Sequence, residues 1–280
     1  MAKARMQKYL DAAPLMRCPI CKASLAAAEP SLVCANGHRF DISAKGFTTM
    51  VPNCAPLKGY DAAFFDSRQH IMQAGYYNAL VNALTHVLAN ELTEHPARPM
   101  LIDAGCGEGH YAKTLRGSIA CTIFALDYSK DAIRCAARGA NDILWLVADV
   151  ADMPLATASA DALIDVFTPA NYAEFSRVLK PGGLLIKVIP AAHHMHEIRE
   201  LIGPRDAADE FSNQRVIDHF AEFFPTYKRQ RVTATSSVWP EHAADLIRMS
   251  PVAFGIDPGT LPLDRLEQIT IDAELLIARR

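Results

Sequence analysis

The spacing of hydrophobic residues changes along the chain and separates regions of different predicted structure. Between residues 62 and 89, apolar side chains recur at helical intervals, and Gly75 separates two predicted helices. From residue 99, helical stretches alternate with short apolar runs at 100–104, 119–126, 143–147, 162–166 and 184–189. Parallel strands need long connections and are buried on both faces, so this alternation predicts an α/β fold with a Rossmann-like, doubly wound sheet.

A loop-like segment at residues 52–59, rich in proline, asparagine and glycine, precedes the first of these helices. We place a domain boundary there, between a small module at 1–58 and a larger domain at 59–280. In the last third of the chain the pattern weakens. It predicts a helix at 244–249 and a strand pair or hairpin at 267–277, with no internal repeat.

Composition excludes several classes of protein. The 280 residues are 50% hydrophobic and 21% charged, a globular balance that excludes an intrinsically disordered regulator. The apolar runs are far shorter than the ~20 residues of a membrane helix, and the N-terminus lacks the apolar stretch of a secretory signal. We therefore expect a cytoplasmic protein with no membrane partner. Seven cysteines, an odd number, favour reduced thiols or a metal site over a disulfide framework.

The net charge of −3 argues against a nucleic-acid partner, but the charge is unevenly distributed. Residues 1–60 hold eight basic and three acidic side chains, a balance of +5, which leaves −8 for the other 220 residues. Attraction to phosphate is local, so the small module could contact nucleic acid even though the whole chain is acidic.

The small module contains a set of candidate zinc ligands with the spacing C-x2-C-x12-C-x3-H, namely Cys18, Cys21, Cys34 and His38. Three thiolates and one imidazole complete a tetrahedral shell with no open position, which predicts a structural Zn²⁺. Gly37 eases the second turn. Such a short module cannot build a large core, so zinc binding should be coupled to its folding. The alternative is reduced core cysteines beside a surface histidine; Cys54 lies outside both turns and is expected to be a spare thiol.

Basic and aromatic residues surround these ligands: Arg17, Lys22, Arg39, Lys45, Phe40 and Phe47. They could contact phosphates and stack on bases. They could equally form a solvated basic face with two aromatics packed in a small core, and the sequence leaves both interpretations open.

A glycine-rich loop, LIDAGCGEG at residues 101–109, follows the first strand of the larger domain. Glycines allow a sharp turn and close approach of the backbone to a ligand, and amides at the start of the next helix can bind an anion. The predicted contacts from this loop are Asp103, Gly105, Cys106, Gly107 and Gly109. Cys106 is assigned contact only. A tight turn without a ligand is the alternative.

Two further acids end the next strands. Asp127 occupies the position that binds ribose hydroxyls in nucleoside-binding α/β folds, and Asp149 could meet an adenine amino group. The adjacent residues Tyr128, Ala148 and Val150 are expected to line the same site.

These acids, in this order, resemble the pattern of S-adenosylmethionine-dependent methyltransferases over residues 99–190, and KPGGL at 180–184 matches the turn before their fifth strand. The resemblance implies a class I methyltransferase domain with S-adenosylmethionine as cofactor. With the zinc module, the chain resembles the bacterial 23S ribosomal RNA (guanine-N1) methyltransferases, a family with macrolide-resistance members. HRFD at 38–41, KGF at 45–47 and AGYY at 74–77 carry this closer resemblance.

The family resemblance implies zinc at the four ligands and cofactor contacts at Tyr77, Tyr111, Asp127 and His194. It also places FTPANY, residues 167–172, in the loop that presents the acceptor atom. Phe167 and Pro169 are therefore predicted catalytic-site residues. The substrate would be 23S ribosomal RNA, with a guanine splayed out of a hairpin loop and Phe167, Tyr172 and Phe47 as candidate stacking partners.

Asp165 is a candidate general base for guanine N1, whose pKa of about 9 lies near the tyrosine range. A purely structural acid near the strand end is the alternative. Two other functions also remain open: a small-molecule methyltransferase with a structural zinc knuckle, and a non-catalytic zinc-dependent RNA-binding protein. A homodimer is the expected assembly.

Overall fold

The computed structural model describes residues 2–52, 57–92, 98–139, 142–203 and 212–280. The helices are α1 Ala2–Ala12, α2 Ala62–Gln73, α3 Asn78–Leu92, α4 His110–Ser118, α5 Lys130–Ala136, α6 Tyr172–Val178, α7 His196–Ile202, α8 Gln214–Phe223 and α9 Pro240–Arg248. The strands are β1 Leu25–Ala28, β2 Ser31–Cys34, β3 Arg39–Asp41, β4 Phe47–Thr49, β5 Met100–Ala104, β6 Thr122–Asp127, β7 Leu144–Val147, β8 Ala160–Val166, β9 Leu179–Pro190, β10 Tyr227–Ser237 and β11 Gln268–Arg279. No described helix is long and apolar enough to cross a membrane.

The central sheet has eight strands in the order β10-β11-β9-β8-β5-β6-β7-β4. Strands β4 to β9 pair in parallel, while β10 and β11 are antiparallel. The chain runs from β5 toward one edge through β6 and β7, then returns to β8 on the other side of β5. Ligands of open α/β sheets bind at the carboxyl ends of strands beside such a reversal. The predicted doubly wound fold is therefore confirmed, and it places a site at the ends of β5 and β8.

Short polar residues start two of the helices that follow the carboxyl ends of strands. The side chain of Ser129 caps α5 by accepting from the Ala132 amide, and the side chain of Asn171 caps α6 in the same way. Side chains of this kind satisfy amides that have no partner within the helix. Gly75, in the left-handed region with φ +89°, separates α2 from α3 as predicted.

The C-terminal prediction was wrong in one respect. Residues 267–277 are not a hairpin, because β11 is a single long strand between β9 and β10. The predicted turn at 180–184 lies inside β9, where the pairing with β8 jumps from Leu179 to Leu184. Because β11 pairs with β9, the last of the parallel strands, the end of the chain belongs to the central sheet and does not form a separate unit.

The N-terminal residues are joined to the central sheet by pairing and by a shared core. β1, β2 and β3 form a small antiparallel sheet, whereas β4 extends the central sheet by pairing with β7. The hydroxyl of Tyr9 on α1 accepts from the Trp145 amide, and its single proton is shared between the Gly46 and Trp145 carbonyls, each at 2.9 Å. A single core cluster contains Leu32 of the small sheet together with Phe124 of β6. The proposed division at residue 58 stays a prediction.

Candidate active site and zinc site

The four predicted zinc ligands converge. The ligand atoms of Cys18, Cys21, Cys34 and His38 all lie within 4.8 Å of one another. His38 Nδ1 is 3.5 Å from Cys18 Sγ and 3.4 Å from Cys34 Sγ, and the sulfurs of Cys21 and Cys34 are 3.6 Å apart. Zn–S bonds of about 2.3 Å in a tetrahedron require S···S separations of about 3.8 Å. The cluster therefore fits a structural zinc ion.

Both turns that carry the zinc ligands contain a residue in the left-handed region. Gly37, which precedes His38, has φ +82°, as the sequence predicted. Lys22, which follows Cys21, has φ +63° and serves the equivalent turn. Cys54, the predicted spare thiol, lies outside the described residues.

Part of the basic face of the zinc module docks against the larger domain. Arg17 contacts Asp152 at 2.8 Å and Glu174 at 3.2 Å, and Lys22 also pairs with Asp152. The Arg17 amide donates to the Pro154 carbonyl at 3.1 Å. These two cations orient the module on the sheet, a role that neither sequence interpretation included.

The predicted stacking role of two aromatic residues was wrong. Phe47 is 5% exposed because β4 carries it into the central core, and Tyr172 is 2% exposed within an aromatic cluster on α6 and α8. Phe40 is likewise buried in the small core. A buried ring offers no free face to a base, so Phe167, which is half-buried, is the remaining candidate of the three.

The glycine-rich loop passes too close to neighbouring side chains to tolerate larger residues. A Cβ on Gly105 would lie 2.3 Å from Thr168 Oγ1, and one on Gly109 would lie 2.5 Å from the Trp145 ring. Both glycines have positive φ. The loop is thus wedged between the β8 loop and β7, with its backbone facing the carboxyl edge of the sheet. Cys106 is buried beside these glycines.

Asp127 is tied to the same loop. Its Oδ2 accepts from the Gly107 amide at 2.9 Å and its Oδ1 accepts from the Ser129 amide at 2.8 Å. Burial raises the pKa of the Asp127 carboxyl, and these two amides oppose the rise. The carboxylate is therefore fixed at the end of β6, where the sequence predicted a ribose contact.

The third acid, Asp149, is exposed just beyond the end of β7, and its Oδ1 accepts from the Ala151 amide at 2.8 Å. The adjacent Ala148 is buried and its amide donates to the Asp127 carbonyl, while Tyr128 and Val150 are half-buried. The four residues thus lie along the same edge of the sheet, beside the glycine-rich loop.

Buried polar atoms without a hydrogen-bond partner gather around the loop. Among the described residues they include Asp103 Oδ2, Glu108 Oε1 and the Tyr111 hydroxyl. Burial, together with Glu108 nearby, raises the pKa of Asp103 to about 8. A cationic ligand group beside Asp103 would restore its charged form, and buried polar atoms of this kind indicate a ligand site. With the glycine cradle, these atoms fit S-adenosylmethionine, which carries both an ammonium and a nucleoside.

Three aromatic rings form one wall at the carboxyl edge. The centroid of the His194 ring lies 4.8 Å from that of Phe167 and 6.2 Å from that of Tyr77. His194 Nδ1 accepts from the Asp272 amide at 3.3 Å, and burial lowers the pKa of His194 to about 4. The imidazole is therefore neutral at pH 7, with its proton on Nε2. Pro169 lies exposed in the loop that follows Phe167.

Asp165 lies below this loop rather than in the open site. It is 0% exposed, and its Oδ1 lies 3.0 Å from the ammonium of Lys187, which also donates to the Thr168 carbonyl. Burial outweighs the ion pair and raises the pKa of Asp165 to about 6. The pair thus braces the loop, and this placement favours the structural interpretation of Asp165.

Sequence reasoning missed two charged residues beside the loop. Arg68 on α2 lies 2.6 Å from Glu108, which is 1% exposed. Two uncharged residues, Thr168 and Met195, were missed as well. Thr168 packs on Gly105. Met195 has φ +50°, and its sulfur accepts a hydrogen bond from the Tyr77 hydroxyl. Glu108 lies inside the glycine motif and could have been noticed there, but no sequence signal links it to Arg68.

Comparison with known proteins gives matches over both parts of the chain. A family model described as "RlmA, N-terminal", a zinc ribbon, matches residues 16–54, and one described as "Methyltransferase domain" matches residues 102–187. YxjB of Bacillus subtilis, assigned as a 23S rRNA (guanine-N1)-methyltransferase, is 30% identical over 282 residues, covering 95% of this chain and 97% of YxjB.

Two other relatives also align over nearly their whole length. A Micromonospora griseorubida protein with the same assignment is 31% identical over 293 residues, covering 96% of this chain and 98% of the relative. The 23S rRNA (guanine(748)-N(1))-methyltransferase of Streptomyces fradiae is 28% identical over 271 residues, which cover 94% of this chain and 96% of the relative.

Proposed function

The chain belongs to the family of 23S rRNA (guanine-N1)-methyltransferases, and from this premise we propose that it methylates N1 of a guanine in a hairpin loop of 23S ribosomal RNA. S-adenosylmethionine is the methyl donor and Zn²⁺ the structural metal. The observation that carries the proposal is the occurrence, in one chain, of the four-ligand zinc cluster and the acid-lined glycine loop. Such an enzyme acts where ribosomes are, in the cytoplasm.

Three parts of the chain would hold the cofactor. The glycine loop offers its backbone, Asp127 the ribose contact, and Asp103 a carboxylate for the ammonium. When bound, S-adenosylmethionine would supply a methyl group on a sulfonium: a nitrogen lone pair would attack the methyl carbon, and the C–S bond would break with the neutral thioether as the leaving group. The wall of Tyr77, Phe167 and His194 would cover the reacting atoms and exclude water.

The acceptor loop would act by positioning. Phe167 has φ +57°, a strained conformation that persists only when surrounding contacts enforce it. Lys187 enforces it by joining Asp165 to the Thr168 carbonyl. Holding the guanine at attack distance supplies most of the rate enhancement in such a transfer. His194 Nδ1 accepts from a backbone amide and Asp165 is buried in an ion pair, so we assign both to positioning. The N1 proton, with a pKa of about 9, would be lost to water, which leaves the N1 lone pair free for attack.

A cleft of about 300 Å³ between the zinc module and α5 supports the RNA part of the proposal. Its lining residues are Asp41, Ser43, Lys45, Phe47, Thr49, Lys130 and Arg134. Lys45 comes from the module and Lys130 from the larger domain, and both are exposed. The single acid of the cleft, Asp41, pairs with Arg39 at 3.6 Å. We propose that the RNA backbone crosses this cleft, whose lining residue Lys130 follows Asp127 of the cofactor site by three positions.

Charge reversal tests this RNA path. K45E/K130E should weaken binding of a 23S hairpin by about 10-fold or more and reduce the salt dependence, since two phosphate contacts are lost. Binding of S-adenosylmethionine should not change. K228E is the matched control, because Lys228 is exposed on β10 at the opposite edge of the sheet. Equal effects of the two changes would refute the assigned path.

The activity itself is tested by methyl transfer. The purified zinc-loaded protein should transfer labelled methyl from S-adenosylmethionine to 23S ribosomal RNA, with 1-methylguanosine as the product in a mass spectrum of the digested RNA. Transfer only to small molecules would favour the small-molecule alternative. Binding of RNA without a methylated product would favour the non-catalytic alternative. The expected homodimer stays a prediction, which analytical ultracentrifugation can test.

A further inference from the structure

Arg68 is a cation placed directly beside the glycine-rich loop. It lies on α2, its side chain is 17% exposed, and its Nε is 2.6 Å from Glu108. A Cβ added to Gly107 would lie 3.7 Å from that Nε, and the guanidinium lies 6.0 Å from the centre of the Tyr77 ring. Arg68 therefore contacts the segment whose backbone would face the cofactor.

The pairing with Glu108 leaves most of the guanidinium unused. Neither terminal nitrogen of Arg68 forms a hydrogen bond to a described residue, whereas an arginine can donate five. A buried ion pair is weak support for a fold, because apolar residues of similar volume stabilise as well or better. A structural role alone thus gives no reason for this pair at this position.

Among the charged side chains compared around the loop, one is placed to bind an anion. Asp103, Glu108 and Asp127 are acidic, so they suit the ammonium and the ribose but repel a carboxylate. Lys113, the nearest lysine along the chain, donates to the Glu108 carbonyl at 3.1 Å and lies 5.8 Å from the centre of the Trp145 ring. Lys187 is enclosed in the pair with Asp165. Of the three cations Arg68, Lys113 and Lys187, Arg68 is the one whose N–H groups remain available to hydrogen-bond a ligand.

We propose that Arg68 binds the carboxylate of S-adenosylmethionine, with Glu108 holding the guanidinium against the glycine loop. The proposal rests on the proposed function and assigns a residue that decides which cofactors the site accepts. A planar guanidinium can donate two parallel hydrogen bonds to a carboxylate, which adds both affinity and geometric selectivity. The site should therefore distinguish S-adenosylmethionine from its decarboxylated form, which keeps the sulfonium and the ammonium.

Calorimetry on the full zinc-loaded chain without RNA tests this assignment. The wild-type protein should bind S-adenosylmethionine about 10- to 100-fold more tightly than decarboxylated S-adenosylmethionine, the ratio expected for one charged pair. R68M should bring this affinity ratio close to one, because it should weaken binding of S-adenosylmethionine and leave binding of the decarboxylated form unchanged. R68K, which keeps the charge but not the fork, should give an intermediate ratio. R229M, the matched control, should keep the wild-type ratio, because Arg229 lies on β10 at the edge of the sheet and pairs with Glu274, away from the glycine loop.

The other possible results contradict either the assignment of Arg68 or the proposed function. If R68M weakens both ligands equally, Arg68 supports the fold only and the assignment is wrong. If R68M does not fold, R68K decides, and a wild-type ratio in R68K overturns the assignment. If the wild-type protein binds neither ligand, the proposed function fails, which is a different result from a lost preference. Zinc content and thermal midpoint are recorded for each variant.

Discussion

Substitution of Lys187 by methionine tests the buried pair that supports the acceptor loop. The change removes the ammonium while keeping a similar volume, and leaves Asp165, 0% exposed, without its cation. Removing one partner of a buried pair costs about 3–5 kcal/mol. Since domains are stable by about 5–15 kcal/mol, the loss should be easy to measure by urea unfolding at pH 8.

The loss should depend on pH in a defined direction. The pKa of Asp165 is about 6 in the folded protein even with Lys187 present, and removal of the ammonium raises it further. An acid whose folded pKa exceeds its unfolded value of about 3.9 favours folding most at low pH, and this contribution is lost as pH rises through the folded pKa. The free energy of unfolding of K187M should therefore be closer to that of the wild-type protein at pH 5.5 than at pH 8.

Two variants complete this test. K187M/D165N removes both charges and should recover about 2 kcal/mol or more of the loss at pH 8. D165N alone should keep methyl transfer within about 10-fold of the wild-type rate, whereas loss of a general base costs about 10²- to 10⁴-fold. A K187M cost below about 1 kcal/mol, or one that does not vary with pH, would show that Lys187 does not neutralise a buried carboxylate.

Three further substitutions test other parts of the molecule. C18S should release zinc and weaken binding of a 23S hairpin more than binding of S-adenosylmethionine; equal losses, checked by metal analysis and calorimetry, would contradict separate roles for the two sites. D127A should lower cofactor affinity about 10-fold or more with zinc retained, because the ribose acceptor is lost; unchanged affinity would sink that assignment. G109A should destabilise the fold by about 2 kcal/mol or more in thermal melts, because its Cβ would lie 2.5 Å from Trp145 at φ +80°. G117A is the matched control on α4, where nothing lies within 4 Å, and should be neutral or stabilising.

Features with a local signal could be predicted from the sequence. The zinc ligands lie within 21 residues and follow a fixed spacing, and their atoms converge as expected. The strand at 100–104 has the predicted bounds because all five of its residues are buried and Gly105 ends it. The α2–α3 boundary at Gly75 was likewise visible as a break in an otherwise helical pattern.

Features that depend on distant partners could not be predicted. β4 has three residues and becomes a strand only by pairing with β7, about a hundred positions later, and that pairing buries Phe47. β10 is an edge strand with mostly exposed polar residues, so it lacks an apolar signal. The contact between Arg68 and Glu108 joins a helix to a loop forty positions away.

Primer extension on ribosomal RNA detects methylation of guanine N1 in cells, because a methyl group there blocks base pairing and stops reverse transcriptase. Ribosomal RNA from cells with and without the gene is compared. We expect a stop one nucleotide before a guanine in a hairpin loop of 23S RNA. The stop should be present only with the gene, and a wild-type copy should restore it whereas C18S should not. Identical extension patterns in the two strains would contradict the proposed methylation.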